Sequence, residues 1–388
     1  MTDLKFRVGP IRPPSEANSL LLQVTRGCTW NKCKFCSLYR NTGFKAFSAD
    51  SIKEDIDNIA KLAERVMKYR RGGMAAGSMN EQWDINGLNM ELETIIGEEE
   101  RQSFYLVANW LIGGGENVFL QDGNTTALSS GRLTDVLKYL RETFPGIKRV
   151  TSYGRAENLA KVSAEGFAEL KEAGLDRIHS GYESGSDEVL ARINKGVTAE
   201  QEIIAGRAVK AGGIELSIYF MPGIGGKDLS IKNAEGTAEV VNAVSPDFVR
   251  IRTAAIKPGT ELYDDMRNGV FQMCSDDDKV NEIRRLIELT DMHGKITSDH
   301  MINLLQSIEG RMTGSERAKM LKDIGLYRRL PDGRRRVFQL LRRTLRAYEP
   351  ADMEKLPEQE LVQLEKTALE FTDEEWAEKM NGYICRYV

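Results

Sequence analysis

Leu20-Leu21-Leu22-Gln23-Val24-Thr25 leads into a loop that holds three cysteines, Cys28-Thr-Trp-Asn-Lys-Cys33-Lys-Phe-Cys36. The apolar run is typical of a buried strand, and the cysteines have the spacing C-x4-C-x2-C. No fourth cysteine or histidine lies nearby in the sequence. Three clustered thiolates without a fourth ligand indicate a metal centre with one open position.

The cysteine loop has several interpretations. A structural zinc site needs a fourth Cys or His, but His179, His293 and His300 are remote in sequence. A redox pair of Cys33 and Cys36 leaves Cys28 unexplained. A ferredoxin supplies four thiolates to each cluster. A [4Fe–4S] cluster whose fourth iron is left for a small molecule fits the three thiolates best.

Apolar segments alternate with helical patterns through two thirds of the chain, which predicts an α/β fold with parallel strands and right-handed crossovers. Six strand-helix units predict a partial (β/α)6, TIM-like barrel or an open sheet. In either case ligands gather beyond the carboxyl ends of the strands. The predicted strands are 20–25, 118–121, 149–152, 177–180, 214–220 and 248–253.

The first helix is expected to begin near Ser51, with Glu54 completing a capping box, and to end at Gly72-Gly73. We expect an N-terminal extension over 1–18, the barrel over 19–275 and a mostly helical region over 276–388. The barrel contains an insertion over 72–115, which is too long for an ordinary loop. The insertion has a helical pattern at 98–112, and its large apolar residues include Met74, Met79, Trp83 and Met90.

The net charge of −4 over 388 residues gives no reason to expect bulk binding of nucleic acid. No apolar stretch is long enough to span a bilayer. The N-terminus lacks the apolar core of a secretory signal, so a cytoplasmic protein is expected. Residues 327–346 hold eight arginines and one acid, and residues 348–388 hold eleven acids and four bases. The arginine run suggests an RNA contact, but the matching acidic tail favours a solvated helix face.

The cysteine loop resembles that of radical S-adenosylmethionine (SAM) enzymes, with Phe35 as the aromatic residue before the last cysteine. The usual spacing in that family is C-x3-C-x2-C, so this loop is one residue longer between Cys28 and Cys33. The stretch from Gly181 to Leu190 is similar to the fourth-strand signature of one branch. That branch includes oxygen-independent coproporphyrinogen oxidase and the methylthiotransferases. A Pro-Gly-Thr segment at 258–260 also matches the family.

The resemblance implies roles for residues at the ends of four predicted strands. Asp122-Gly123-Asn124 takes the place of the turn that binds the methionine amino group, and Glu183 corresponds to a ribose-binding position. Each has a plainer interpretation, such as a tight turn, a helix-end acid or core packing. The full expected cofactor-binding set is Phe35, Asp122, Gly123, Asn124, Tyr153, Glu183, Lys195, Gly223 and Ile224, and the expected metal ligands are Cys28, Cys33 and Cys36.

The resemblance further implies reductive cleavage of SAM to methionine and a 5′-deoxyadenosyl radical, which abstracts hydrogen from a substrate. An electron donor such as flavodoxin or ferredoxin and an anaerobic setting are expected. The sequence has no second group of cysteines, so an auxiliary iron–sulfur cluster is not expected. Only about 18 residues precede the barrel, so a separate cobalamin module is not expected either. We expect a small-molecule substrate. A radical enzyme acting on tRNA or protein is the alternative, followed by a non-catalytic iron–sulfur or zinc protein.

Overall fold

The structure is a computed structural model that describes residues 4–71 and 82–387. The chain forms two compact units. Unit 1 contains Met1–Thr29, Asn41–His179 and Ala211–Glu215, and unit 2 contains Trp30–Arg40, Ser180–Lys210 and Leu216–Val388. The chain therefore passes from one unit into the other within the cysteine loop and within a strand at 177–183.

Unit 1 is built on parallel strands in the order β1, β4, β5 and the first part of β6. Leu20 of β1 is in register with Val118 of β4, which in turn is in register with Val150 of β5. The strands are β1 (Leu20–Gln23), β2 (Thr25–Arg26), β3 (Lys45–Ala46), β4 (Asn117–Gln121), β5 (Arg149–Tyr153) and β6 (Arg177–Glu183). The short strands β2 and β3 pair with each other in antiparallel fashion.

The helices of unit 1 cover this sheet with apolar faces. In α1, Ile52, Ile56, Ile59, Leu62 and Val66 recur at helical spacing and are fully buried, and each contributes about 1.5–3 kcal/mol by leaving water. The helices are α1 (Ala49–Met67), α2 (Ile85–Thr94), α3 (Glu98–Ile112), α4 (Ser130–Thr143), α5 (Ala156–Leu159) and α6 (Ala164–Glu172).

Unit 2 continues the parallel order from β6 through β7, β8 and β9, and β10 pairs with β9 in antiparallel fashion. Its strands are β7 (Glu215–Phe220), β8 (Phe248–Ile251), β9 (Lys295–Thr297) and β10 (Gly310–Arg311). Its helices are α7 (Asp187–Arg192), α8 (Ala199–Ala211), α9 (Ser230–Val244), α10 (Glu261–Arg267), α11 (Asp276–Leu289), α12 (Gly314–Arg328), α13 (Asp332–Arg343), α14 (Glu358–Leu369) and α15 (Asp373–Ile384).

The predicted α/β class, all six predicted strands and the helical C-terminal region are confirmed, in the parallel order expected of a partial (β/α)6 barrel. Strand β9 was not predicted, because its three residues are too short to show a periodicity. No helix in the described ranges is long and apolar enough to cross a membrane.

Two predictions about the first helix were wrong. The helix begins at Ala49, because the Ser48 side chain accepts a hydrogen bond from the Ser51 backbone N–H and caps the helix in place of Ser51. It ends at Met67, before the glycines at 72 and 73 that were expected to end it. Those glycines, like Met74 and Met79, lie outside the described residues.

The insertion contributes α2 and α3 to unit 1. Helix α3 spans the residues predicted for it, Trp83 is buried, and Met90 is exposed. The Trp110 ring on α3 packs edge-on against Phe144, with the ring centroids 5.3 Å apart. This part of the insertion is therefore anchored to the core of unit 1.

Candidate functional site

Cys33 and Cys36 lie in a tight turn of unit 2, in which the Cys36 N–H donates to the Cys33 carbonyl oxygen at 3.2 Å. The Arg40 guanidinium donates to the carbonyl oxygens of both cysteines, at 3.2 Å to Cys33 and 3.1 Å to Cys36. Arg40 is itself paired with Glu261 at 2.6 Å. These contacts fix the backbone that carries the last two thiols.

The longer spacing between the first two cysteines is accommodated at Trp30-Asn31-Lys32. Asn31 adopts a left-handed backbone with φ of 51°, a conformation that asparagine tolerates better than most residues. The Trp30 indole N–H donates to the Asn194 carbonyl oxygen at 2.7 Å, and the Asn194 side chain donates to the Lys32 carbonyl oxygen at 3.0 Å. The loop is thus bound at two points to the turn after α7.

Gly196 in the same turn must be glycine for two reasons. Its φ is +70°, and a Cβ atom at this position would lie 2.4 Å from the Trp30 ring. A side chain there would therefore be strained and would also push Trp30 away.

The Pro-Gly-Thr segment and α10 support the loop from another direction. Thr260 caps α10 by accepting from the Tyr263 N–H. The Leu262 N–H donates to the Lys34 carbonyl oxygen at 2.9 Å, and the Lys34 ammonium pairs with Asp265 at 2.7 Å. The matched sequence segment thus holds the residue between Cys33 and Phe35.

Glu183, Lys195 and Phe35 are connected within unit 2. The Lys195 ammonium donates to the Glu183 carboxylate at 2.9 Å, and both side chains are nearly buried. The same ammonium lies 5.9 Å from the centre of the Phe35 ring, within cation–π range. Glu183 has φ of 68°, an uncommon conformation for a residue with a side chain, which is found most often at functional positions.

Gly223 and Ile224 lie in the turn that follows β7. Ile224 is fully buried in a cluster with Val189, Ile193 and Leu262, against which Phe35 packs. The Gly223 N–H donates to the Glu282 carboxylate of α11 at 3.0 Å. The turn is therefore fixed on one side by apolar packing and on the other by a buried acid.

Glu282 is fully buried. Besides the bond from Gly223, its carboxylate accepts two hydrogen bonds and lies near a thiol. Asn233 Nδ2 donates to it at 2.6 Å and Ser230 Oγ at 2.7 Å, and the Cys274 thiol lies 3.6 Å away. Burial raises the pKa of Glu282 to about 7. Burial also raises the pKa of the Cys274 thiol above its ordinary value.

Glu202 on α8 is a second buried acid of unit 2. Its side chain is fully buried, and within the described part of the chain neither carboxylate oxygen has a hydrogen-bond partner. Burial raises its pKa well above the ordinary value, against the opposing charge of Lys195. Burial therefore favours the neutral form of this carboxyl.

Cys28 belongs to unit 1, where it is half-buried. The Arg155 guanidinium lies 3.8 Å from its sulfur. The Arg155 backbone N–H donates to the Asn124 side chain at 3.1 Å.

Asp122 and Asn124 follow β4 and are both fully buried. The Asp122 carboxylate accepts long contacts of 3.4 Å from Gln23 and the Gly27 N–H. Asn124 donates to Thr29 at 2.9 Å and to Asn158 at 2.7 Å. Their side chains thus hold the end of β1 and the start of the cysteine loop, and Gly123 between them is half-buried.

Tyr153 ends β5 and is half-buried. Its ring packs edge-on against Phe119, with the centroids 5.0 Å apart, and lies 6.0 Å from the His179 ring. This is the packing role that was one of its two interpretations.

The structure places the expected site residues in two groups. Unit 2 holds Cys33, Phe35, Cys36, Glu183, Lys195, Gly223 and Ile224, and unit 1 holds Cys28, Asp122, Gly123, Asn124 and Tyr153. Sequence reasoning missed Glu202 and Glu282 and assigned no role to Arg155. Arg155 carried a signal, since it follows a predicted strand end.

The arginines of α13 are held by acids and carbonyl groups of unit 2. Arg334 pairs with Glu358, Arg336 with Asp373 and Arg343 with Asp276. Arg343 and Arg336 are also largely buried. The expected neutralisation by the acidic tail is present at Arg334 and Arg336. The expected solvated helix face is wrong for Arg336 and Arg343, because their side chains are buried.

Residues 94–233 match the family model described as the radical SAM superfamily. This match shows that residues 94–233 are similar to the radical SAM superfamily. Proteins of this superfamily bind a [4Fe–4S] cluster and SAM. The matched residues follow the cysteine loop, so the match is separate from the resemblance that the loop carries.

The curated proteins similar to this chain include an oxetanocin-related synthase, a heme chaperone and a tRNA acetyltransferase. The chain is 40% identical over 262 residues to the 4′-phospho-dehydrooxetanocin synthase of Priestia megaterium, covering 64% of this chain and 29% of the relative. It is 21% identical over 181 residues to the heme chaperone HemW of Bacillus subtilis, covering 46% and 47%. It is 26% identical over 116 residues to the tRNA uridine(34) acetyltransferase of Methanocaldococcus jannaschii, covering 30% and 21%. The chain thus spans less than half the length of each relative.

The cysteine loop supplies three thiols, which in number and chemistry are the donors that a [4Fe–4S] cluster with one open iron takes. Cys33 and Cys36 lie in unit 2, in the turn held by Arg40, and Cys28 lies in unit 1 beside Arg155. Within residues 4–71 and 82–387, no three His, Cys, Asp or Glu side chains are grouped to hold one metal ion.

Proposed function

We propose that the chain is a radical SAM enzyme that acts on a small-molecule substrate. The observation that carries this proposal is the 40% identity to 4′-phospho-dehydrooxetanocin synthase over 64% of this chain. That identity is higher than to the other two relatives reported, and the name of that relative describes the product as a small phosphorylated molecule. The three-cysteine loop supplies the chemistry that such an enzyme needs.

Cys28, Cys33 and Cys36 would hold the [4Fe–4S] cluster. A cluster bound there would supply the electron for cleavage of SAM into methionine and a 5′-deoxyadenosyl radical, and that radical would take a hydrogen atom from the substrate. The Arg155 guanidinium lies beside the Cys28 sulfur, at 3.8 Å. Arg40 and α10 keep the turn of Cys33 and Cys36 in place. A flavodoxin or ferredoxin would deliver the electron.

The residues proposed to bind SAM divide into those that contact it and those that fix the contacting backbone. We assign the turn of Gly223 and Ile224 to the adenine and the Glu183–Lys195 pair to the ribose side, with Phe35 beside them. Because Asp122 and Asn124 are buried and hydrogen bonded, we assign them the task of holding Gly123 in place for the methionine portion. Tyr153 supports this turn through its packing on Phe119.

We further propose the division into an extension over 1–18, a barrel over 19–275 with its insertion over 72–115, and a C-terminal region over 276–388. The C-terminal region supports the barrel residues directly, since Glu282 of α11 holds Gly223. Its contribution to the SAM site is thus a structural one.

A radical SAM enzyme acting on tRNA is the second candidate, because one relative is a tRNA-modifying protein that is 26% identical over 30% of this chain. The arginines of α13 do not favour it, since ion pairs with Glu358, Asp373 and Asp276 already engage Arg334, Arg336 and Arg343.

The two candidates are separated by an assay of 5′-deoxyadenosine release. The protein is reconstituted anaerobically with iron and sulfide and is given SAM and a reductant. Low-molecular-mass and total-tRNA fractions of a cell extract are then added separately. Stimulation by the low-molecular-mass fraction alone is expected. Stimulation by the tRNA fraction alone, lost after ribonuclease treatment, would contradict the proposal.

A further inference from the structure

We propose that Arg252 binds an anionic group, a phosphate or a carboxylate, on the substrate of this enzyme. The proposal rests on the proposed function and adds to it a substrate class and a residue that recognises it. Arg252 follows β8 directly, at the carboxyl end of a parallel strand. Ligands of parallel α/β folds bind at this end.

The face of β8 that carries Arg252 is its polar face. Side chains alternate along a strand, so the buried Val249 and Ile251 share one face, and Arg250 and Arg252 share the other. The Arg252 N–H donates to the Phe220 carbonyl oxygen at 2.9 Å, which shows that the pairing with β7 continues to this residue.

Arg250 identifies this face as the one lined by polar groups. Its guanidinium donates to the Ser217 hydroxyl of β7 at 2.9 Å and pairs with the Asp299 carboxylate. In register with it on β9 is Thr297, whose buried hydroxyl has no hydrogen-bond partner in the described part of the chain.

The two arginines differ in charge compensation. Arg250 is buried and neutralised by Asp299, as expected of an arginine with a structural role. Arg252 is half-buried, and no ion pair within the described ranges joins it to a carboxylate. A guanidinium partly removed from water gains most from an anion that accepts two hydrogen bonds in its plane. Arg250 has the Asp299 carboxylate as its counter-charge. An anionic ligand would be the corresponding counter-charge for Arg252.

His300 adds a second donor near this charge. Its Nδ1 accepts a hydrogen bond from the Ile302 N–H at 3.3 Å. Burial, together with the charge of Arg252, lowers the pKa of His300 to about 4. The ring is therefore neutral at pH 7 with its proton on Nε2. A neutral N–H donor and a guanidinium together suit an oxyanion.

The two ring nitrogens of His300 thus have different partners. Its Nδ1 serves the local backbone by accepting from the Ile302 N–H. Its Nε2 remains for a substrate oxygen. A cation at this position would be repelled by Arg252, so the proposal excludes positively charged groups from this part of the substrate.

The test uses the full, anaerobically reconstituted chain with SAM bound. Inorganic phosphate and acetate are titrated separately and followed by isothermal titration calorimetry, with ³¹P line broadening as a second readout for phosphate. Saturable binding of at least one anion is expected. Arg252→Gln should weaken it at least tenfold, and Arg252→Lys should keep part of it. Arg267→Gln, an exposed arginine at the end of α10, is the control and should leave the affinity unchanged.

Three results would overturn the proposal. These are the absence of saturable binding of either anion to the wild-type chain, equal anion affinity in wild type and Arg252→Gln, and a loss of SAM affinity that parallels the loss of anion affinity. The last would place Arg252 in the SAM site instead. Circular dichroism of each variant checks that it is folded. The titration needs no turnover, so it is independent of the assay of SAM cleavage.

Discussion

Replacing Glu282 by glutamine should make the stability of the protein less dependent on pH. Glutamine is close in shape to the protonated acid. Its carbonyl oxygen can accept from the Gly223 N–H and from Asn233, as one carboxylate oxygen does at 3.0 and 2.6 Å. Its amide can donate to the Ser230 hydroxyl, which now donates to the other oxygen at 2.7 Å. The variant therefore removes the charge and keeps the hydrogen bonds.

The size of the effect follows from the pKa. Burial raises the pKa of Glu282 from 4.5 to about 7 in the folded chain. Between these values the folded state holds a proton that the unfolded state has lost. The free energy of unfolding of the wild type therefore falls as the pH rises from 4.5 to 7, and the fall from this one group is about 3 kcal/mol. Above pH 7 the difference stays constant.

The assay is urea unfolding of wild type and Glu282→Gln at pH 5, 6, 7 and 8. The stability of the variant relative to the wild type should rise by about 2.5 kcal/mol across this range, since a smaller part of the effect lies below pH 5. Glu288→Gln, on the same helix and half-exposed, is the matched control and should show a much smaller change. A relative stability of Glu282→Gln that stays constant within about 0.5 kcal/mol would refute the reasoning.

Three further substitutions test other parts of the structure. Gly196→Val should displace the cysteine loop, because the backbone φ is +70° and the new Cβ atom would lie 2.4 Å from the Trp30 ring. The displacement should shift the tryptophan emission and lower the iron content after reconstitution. An iron content equal to that of the wild type would contradict this. Asp276→Ala should cost about 3–5 kcal/mol in urea unfolding, because it leaves the buried Arg343 without its carboxylate, and a loss below about 1 kcal/mol would show that the pair is not needed. Glu202→Gln should change stability at pH 7 by less than about 1 kcal/mol, because burial raises the pKa of this carboxyl and so favours the neutral acid that glutamine resembles; a large loss in the same assay would mean that the carboxylate itself is required.

Much of the fold could be predicted because its strands are strongly apolar. β1 and β4 are buried along almost their whole length, so their sequences differ clearly from those of the amphipathic helices between them. The helix start was harder to predict. Ser48 and Ser51 are three residues apart, and both precede the same apolar pattern, so only the observed hydrogen bond identifies the capping residue.

The site was predictable where it depends on the ends of strands. Glu183 and Gly223 follow predicted strands, and local sequence marks them. Glu282 could not be found in this way, because it lies 59 residues from the glycine it holds and belongs to a helix. Lys34 and Asp265 are likewise 231 residues apart. Sequence patterns describe each element, but such pairs depend on how the elements pack.

The measurement that tests the central claim most directly is release of 5′-deoxyadenosine from SAM by the anaerobically reconstituted protein with a chemical reductant. We expect the wild type to form 5′-deoxyadenosine and methionine in equal amounts. Ala variants of Cys28, Cys33 and Cys36 should lose both the cluster absorbance and the product. Cys385→Ala, a half-buried cysteine outside the loop, should keep both. Undiminished release of 5′-deoxyadenosine by a loop variant, or none by a wild-type protein that carries a full cluster, would contradict the account.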